Sequence, residues 1–156
     1  MVPQKICEGK VFVEAFVVIT RQLASVDLMY EEYADWDIEG GVICLIHTRG
    51  AVNLCVACHM NSEFSQEIVS KMYGEDIDDA QEMQLYLNEY MNIVCGYAVS
   101  RLNDTTGTRS RISVPQMIVP GCEEDTFRKM EGEHYCFSSD YGDIRVCIYP
   151  VDDKED

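Results

Sequence analysis

The chain is short of positive charge. Twelve Lys and Arg stand against 28 Asp and Glu, a formal net charge of −16 over 156 residues. That balance argues against nucleic acid or an anionic membrane as a partner, because both are held by basic patches. It predicts solubility and salt-sensitive docking onto something with a basic rim. Any run of 18 apolar residues is also missing, so no membrane-spanning helix is expected. The segment VFVEAFVVI after Lys5 and Lys10 is interrupted by Glu14, with no convincing small-residue cleavage site after it, and the expected location is the cytoplasm. No phosphate-binding loop, metal-ligand set or activated nucleophile is found. The acids Glu31, Glu32, Asp35, Asp37 and Glu39 lack the Asp-x-Asp-x-Asp-Gly spacing of a calcium loop and read as a solvated loop or edge strand.

Cysteine is plentiful at eight residues, but a chain this long and 47% hydrophobic does not need a disulfide framework to hold a core. Cys44, Cys58, Cys95 and Cys147 lie inside apolar runs and are expected to be reduced, buried residues. Cys55-Val-Ala-Cys58-His59 is literally the pattern for c-type haem attachment. Val52, Leu54, Val56, Cys58 and Met60 alternate with Ala51, Asn53, Cys55, Ala57 and His59, which is the period of a strand. On a strand the two thiols point to opposite faces, so haem is rejected; zinc is rejected for want of a second Cys/His pair.

Periodicity and turn chemistry give the order of elements. Residues 1–10 read as a loose leader and 10–24 as a helix apolar on most sides. A short strand is expected around 28–33, with another leading into Gly41. Strands 42–48 and 51–59 form a hairpin across Arg49-Gly50. Asn61 or Ser62 caps a helix carrying Phe64, Ile68 and Met72, which Gly74 closes. A polar loop is expected at 104–108. The strand 111–119 contains Pro115, which implies an edge or bulge. Pro120-Gly121 turns the chain, 122–133 is poorly determined, and 135–139 with 144–149 make a last hairpin whose Ile144, Val146 and Ile148 face the core. The sum is one α+β domain over 1–151, helices packed on a largely antiparallel sheet in two layers, with 152–156 as a charged tail.

The longest element is 78–103, DDAQEMQLYLNEYMNIVCGYAVSRLN, with no proline and Gly96 as its only glycine. Met83, Leu87, Tyr90, Val94, Ala98 and Leu102 recur in steps of three and four, the stripe of a helix laid on a core. From 78 to 102 it would run ~37 Å. Asp78 and Asp79 suit the positive end of its dipole and Arg101 the other. The opposite face carries Leu85, Glu89, Asn92, Gly96 and Val99. There Glu89 and Asn92 project together as a carboxylate and a carboxamide, and Gly96, one turn on, removes a side chain that would hold a partner off.

In GluTyrMetAsn-IleValCysGly (89–96) this helix resembles the signature helix of the CheC/CheX/FliY family of chemotaxis phosphatases. The likeness extends to GVICLIHTRGAVNLCVACHMNSEFSQEIVSKMYG (41–74), RISVPQMIVPG (111–121) and HYCFSSDYGDIRVCIYPV (134–151), in the family's order. The resemblance implies an internally pseudo-duplicated fold in which the helix 10–24 is the counterpart of 78–102. Glu14 is present there but position 17 is Val, so one site per chain is expected, the CheX arrangement. It implies a phosphatase for the aspartyl phosphate of a CheY-like response regulator, with Asn92 orienting the attacking water and Glu89 pairing with the partner's lysine. Leu85 and Gly96 would shape the docking face, and Mg²⁺ would come from the partner. A homodimer is implied in the same way. Leu85 stands where Asp or Ser is usual in the family, and Met91 where a small residue is usual. The alternative function is therefore a catalytically weak module that binds a response regulator or another signalling component.

Overall fold

A computed structural model describes residues 8–31, 41–118 and 132–151. Three helices, α1 (Glu8–Ala24), α2 (Ser62–Tyr73) and α3 (Ala80–Thr106), are packed against one another beside an open antiparallel sheet. Its seven strands are β1 (Met29–Glu31), β2 (Val42–Gly50), β3 (Leu54–Met60), β4 (Ser110–Ile112), β5 (Gln116–Ile118), β6 (Glu133–Ser138) and β7 (Ile144–Pro150). Their spatial order is β1-β6-β7-β3-β2-β4, with β5 also paired to β2. The α+β fold with helices on an antiparallel sheet is therefore as expected.

The alternation in the strands decides which side chains meet the helices. Cys44 and Ile46 of β2, Val56, Cys58 and Met60 of β3, and Ile144, Val146 and Ile148 of β7 join Phe12, Phe16, Phe64, Ile68 and the buried face of α3 in one core. Ile43, Ala57 and Cys147 fall on the other face of the sheet and form a small second cluster with Leu45 and Tyr149. Cys44 and Cys58 are register partners, and both are free thiols, as are Cys95 and Cys147. Each large apolar side chain fully removed from water contributes roughly 1.5–3 kcal/mol, so this core dominates the stability of the chain.

Several boundaries differ from expectation for identifiable reasons. Helix α1 begins at Glu8, so the end of the supposed leader is helical. The hairpin turn lies at 51–53, and Arg49-Gly50 belong to β2. Asn53 ties that turn by donating to Gly50 O at 2.9 Å, and Thr48 Oγ1 donates to Val52 O at 2.8 Å. The polar stretch after Leu102 is not a loop: α3 runs on to Thr106 and stops at Gly107, which adopts the left-handed conformation at φ 69°. Thr105 and Thr106 return their hydroxyls to the carbonyls of Arg101 and Leu102, which lets them sit in a last helical turn. Arg101 consequently lies short of the end, 3.7 Å from Glu14. Pro115 divides the strand expected at 111–119: β4 pairs with Thr48–Gly50 and β5 with Ile43–Leu45, both on the edge of β2. The tail 152–156, the turn at Pro120-Gly121, the segment 122–131 and most of the acidic cluster lie outside the described residues.

Candidate functional site on the outer ridge of the longest helix

Helix α3 forms where it does because both ends are capped. Asp79 accepts hydrogen bonds from the backbone of Gln81 at 2.8 Å and Glu82 at 3.2 Å, and Gly107 N–H donates to Asn103 O at 2.9 Å. Leu87, Tyr90, Met91, Val94, Cys95, Ala98, Val99 and Leu102 are buried. Tyr90 reaches deepest, stacks edge-on against Phe64, and shares a 2.7 Å hydrogen bond with Thr20 of α1. These contacts fix the rotation of the helix about its axis. At ~100° per residue, Leu85, Glu89, Asn92 and Gly96 then fall within an arc of about 60°. Leu85, Glu89 and Asn92 are exposed, and Gly96 is half-buried.

Val99 does not share that surface. It is only 5% exposed, because it lies about 20° beyond the arc, on the side where α3 meets β4. Met91 is fully buried in the core. Its departure from the family pattern is thus a packing choice rather than a change at the site. Leu85 is 66% exposed and stands on the ridge one turn before Glu89.

Among the described residues no hydrogen bond or ion pair engages the Glu89 carboxylate or the Asn92 carboxamide. The neighbouring amide Asn88 is half-buried instead, accepting a long contact from the Cys44 thiol at 3.7 Å. Gly96 leaves real space: a Cβ there would meet only Ile112 Cδ1, at 4.0 Å. A glycine inside a helix costs about 1 kcal/mol relative to alanine, and no packing contact among the described residues requires it here. Beside it a groove of about 470 Å³ runs between α3 and β4, lined by Val99, Asn103, Arg111 and Ile112 among others.

Two tyrosines that sequence reasoning did not single out frame the other flank. Tyr73, at the end of α2, stacks on Tyr86 of α3 with centroids 3.8 Å apart. Partial burial raises the Tyr73 phenol's pKa, and the nearby Glu89 charge adds to the shift. Glu89 therefore stands beside an aromatic pair. The usable signal was the i, i+3 spacing of Tyr86 and Glu89, but the partner from α2 is a tertiary fact.

The cysteine motif is settled by geometry. Cys58 faces the helices while Cys55 pairs with Tyr149 across the β3–β7 ladder, and both are buried. Burial pushes the Cys44 thiol up to about 12 and raises Cys58 well above its ordinary value, so neither is a thiolate near neutral pH. Among the described residues no group of His, Cys, Asp and Glu is placed to hold a metal ion, and no helix is long and apolar enough to cross a membrane.

Comparison with known proteins bears on this ridge. The chain is similar in fold to CheX from Desulfovibrio desulfuricans, at 18% identity and a TM-score of 0.72, over 94% of this chain and all of that one. A chain of the CheX–CheY–BeF3–Mg²⁺ complex from Borrelia burgdorferi matches at 21% identity and a TM-score of 0.74, over 95% of this chain and all of that one. FliY from Thermotoga maritima matches at 11% identity and a TM-score of 0.62, over 97% and 92%. No curated protein sequence matches. The sequence profile of the family described as chemotaxis phosphatase CheX matches residues 42–129, more than half of the chain and the whole of α3. On that match the chain belongs to the CheX family of chemotaxis phosphatases.

Proposed function

We propose that this protein removes the phosphoryl group from the aspartyl phosphate of a CheY-like response regulator, using the outer ridge of α3. The observation that carries the reading is the joint exposure of Glu89 and Asn92, adjacent on the helix and unengaged within the described chain. Family membership supports the reaction class, and the CheX–CheY complex from Borrelia burgdorferi supports the partner class.

Hydrolysis of an acyl phosphate needs a water in line with phosphorus, neutralised phosphoryl oxygens and correct positioning. The regulator supplies Mg²⁺ and a lysine. Asn92 supplies the positioning: its carboxamide oxygen accepts a proton of the attacking water while its NH₂ donates elsewhere in the pocket. Glu89 pairs with the partner's lysine and sets the register of the helix. Exposed ion pairs contribute only ~0–1 kcal/mol, but this one is desolvated on docking and counts for more. Leu85 and Gly96 shape the contact on either side. The chain works in the cytoplasm, and as a homodimer by likeness to CheX.

The test is phosphate release from a panel of phosphorylated response regulators of the same organism. Wild type accelerates release from one of them, and Asn92→Ala lowers kcat by about 10²-fold or more, the scale of losing one positioned catalytic hydrogen bond. Acceleration that survives the substitution removes the role of Asn92. A second reading, a binding module without turnover, draws on Leu85: an exposed leucine on the ridge suits docking irrespective of chemistry. Binding of the phosphorylated regulator with no acceleration selects it.

A further inference from the structure

The cations of this acidic chain are not spread evenly. Of its 12 Lys and Arg, Arg49, Arg109 and Arg111 line one depression of about 580 Å³ at the end of β2, beside Gly50, Asn103 and Ser110. All three are exposed. Arg49 and Arg111 are direct register partners in the β2–β4 ladder. Opposed residues in such a ladder hold their Cβ atoms ~5 Å apart on one face, and like charges there destabilise. Among the described residues neither Arg109 nor Arg111 has a carboxylate within ion-pair distance. The carbonyl end of α3 carries no basic residue in its last turn and would be satisfied by one arginine. Arg109 and Arg111 are one more than that, and the surplus needs another cause.

Position supplies it. Arg111 lines both this depression and the groove beside Gly96, so the basic surface is continuous with the ridge. Asn103, on its rim, lies ~16 Å along the helix from Asn92. A standard interface of ~800 Å² per partner is ~30 Å across, so a protein centred on Asn92 comes to the rim of the arginine depression, and one centred nearer Gly96 extends over it. Screening within ~8 Å at physiological salt leaves local charge, rather than the net charge of −16, in control of docking. Among the described residues lining the groove and depression, Asp104 is the only acid.

We infer that Arg109 and Arg111 form an electrostatic anchor for an acidic stretch on the surface of the same response regulator that presents its phosphoryl group to Asn92. This rests on the proposed function. The anchor acts on encounter and hold, not on the reaction, so it governs association rate and KM while kcat belongs to the ridge.

The experiment follows binding by stopped flow and phosphate release, using the full chain and purified CheY-like regulators of the same organism, phosphorylated with acetyl phosphate. Arg109→Ser with Arg111→Ser slows association about tenfold at low ionic strength, with the gap closing at high salt. KM rises correspondingly, kcat is unchanged, and Arg109→Lys with Arg111→Lys restores most of the rate. Thermal midpoints of the variants confirm folding. Association and salt dependence equal to wild type in the serine variant overturn the anchor and leave the phosphatase standing. A loss confined to kcat overturns it as well, as does arginine-dependent binding of a single-stranded oligonucleotide with regulator binding intact. A wild type that neither binds nor dephosphorylates any regulator overturns both proposals together.

Discussion

Gly96 offers a test in which stability and activity move in opposite directions. Substitution by alanine adds one methyl to an interior turn of α3, where the only atom it meets among the described residues is Ile112 Cδ1 at 4.0 Å, an ordinary contact distance. No repacking is demanded. Glycine is about 1 kcal/mol worse than alanine in a helix interior, largely because the unfolded chain has more freedom to lose. Gly96→Ala is therefore expected to gain about 1 kcal/mol, or roughly 2–4 °C in melting temperature for a chain of this size. The same methyl stands on the ridge one turn past Asn92. An extra carbon forced into a packed contact costs ~1–3 kcal/mol. On phosphate release this lowers kcat/KM by roughly one to two orders of magnitude, and Gly96→Leu lowers it further while the helix stays folded. Thermal denaturation and phosphate release on the same preparations read both effects. A melting temperature that falls in Gly96→Ala refutes the claim of open space. A Gly96→Leu protein with undiminished release refutes the docking role of this face.

Tyr90→Phe removes the hydroxyl paired with Thr20, both residues being fully buried; it should cost about 1–2 kcal/mol, read as a lower urea midpoint at unchanged slope, and an unshifted midpoint contradicts the pairing. Alkali should destabilise the fold through the buried thiols: burial holds Cys44 up to about 12 and raises Cys58, against an ordinary value near 9.0, so above that value the unfolded chain releases protons that the folded chain keeps. Stability is then flat with respect to these groups below about pH 9. Toward about 12 it falls by up to ~1.4 kcal/mol per pH unit per thiol, and equal urea midpoints at about pH 8 and about pH 10 contradict the burial.

What could be read from the sequence was whatever depends on local pattern. The stripe from Met83 to Leu102 located α3, and the period-two alternation around Val56 located β3 and the divergence of Cys55 from Cys58. Glu89 and Asn92 were legible because a helix turns a spacing of three into adjacency. The failures share a different physics. Val99 lies about 20° from the ridge by helical rotation, and only the approach of β4 decides that it is buried. The stop at Gly107 was hidden by the polar run from 104, which signals a loop, although Thr105 and Thr106 bond back into the helix. Arg49, Arg109 and Arg111 are unremarkable in sequence. They converge because β4 returns antiparallel along β2, a pairing that no local window contains.

Helices α1 and α3 show why a carboxylate alone does not make a site. Glu14 on α1 is exposed, as Glu89 is on α3, but its carboxylate lies 3.7 Å from Arg101 and is occupied within the chain. The position three residues on is Val17, half-buried and packed against the core. That face of α1 has been given over to holding α3 in place, and holding α3 is what fixes the rotation that keeps Glu89 and Asn92 outward. Tyr90 shows the coupling directly, since its hydroxyl meets Thr20 of α1 while Asn92, two residues on, points the opposite way. One helix of the pair serves as the bearing for the other. Of these two helices only α3 then presents an outward carboxylate–carboxamide pair, because a helix whose ridge is spent on its neighbour has none left to offer a partner.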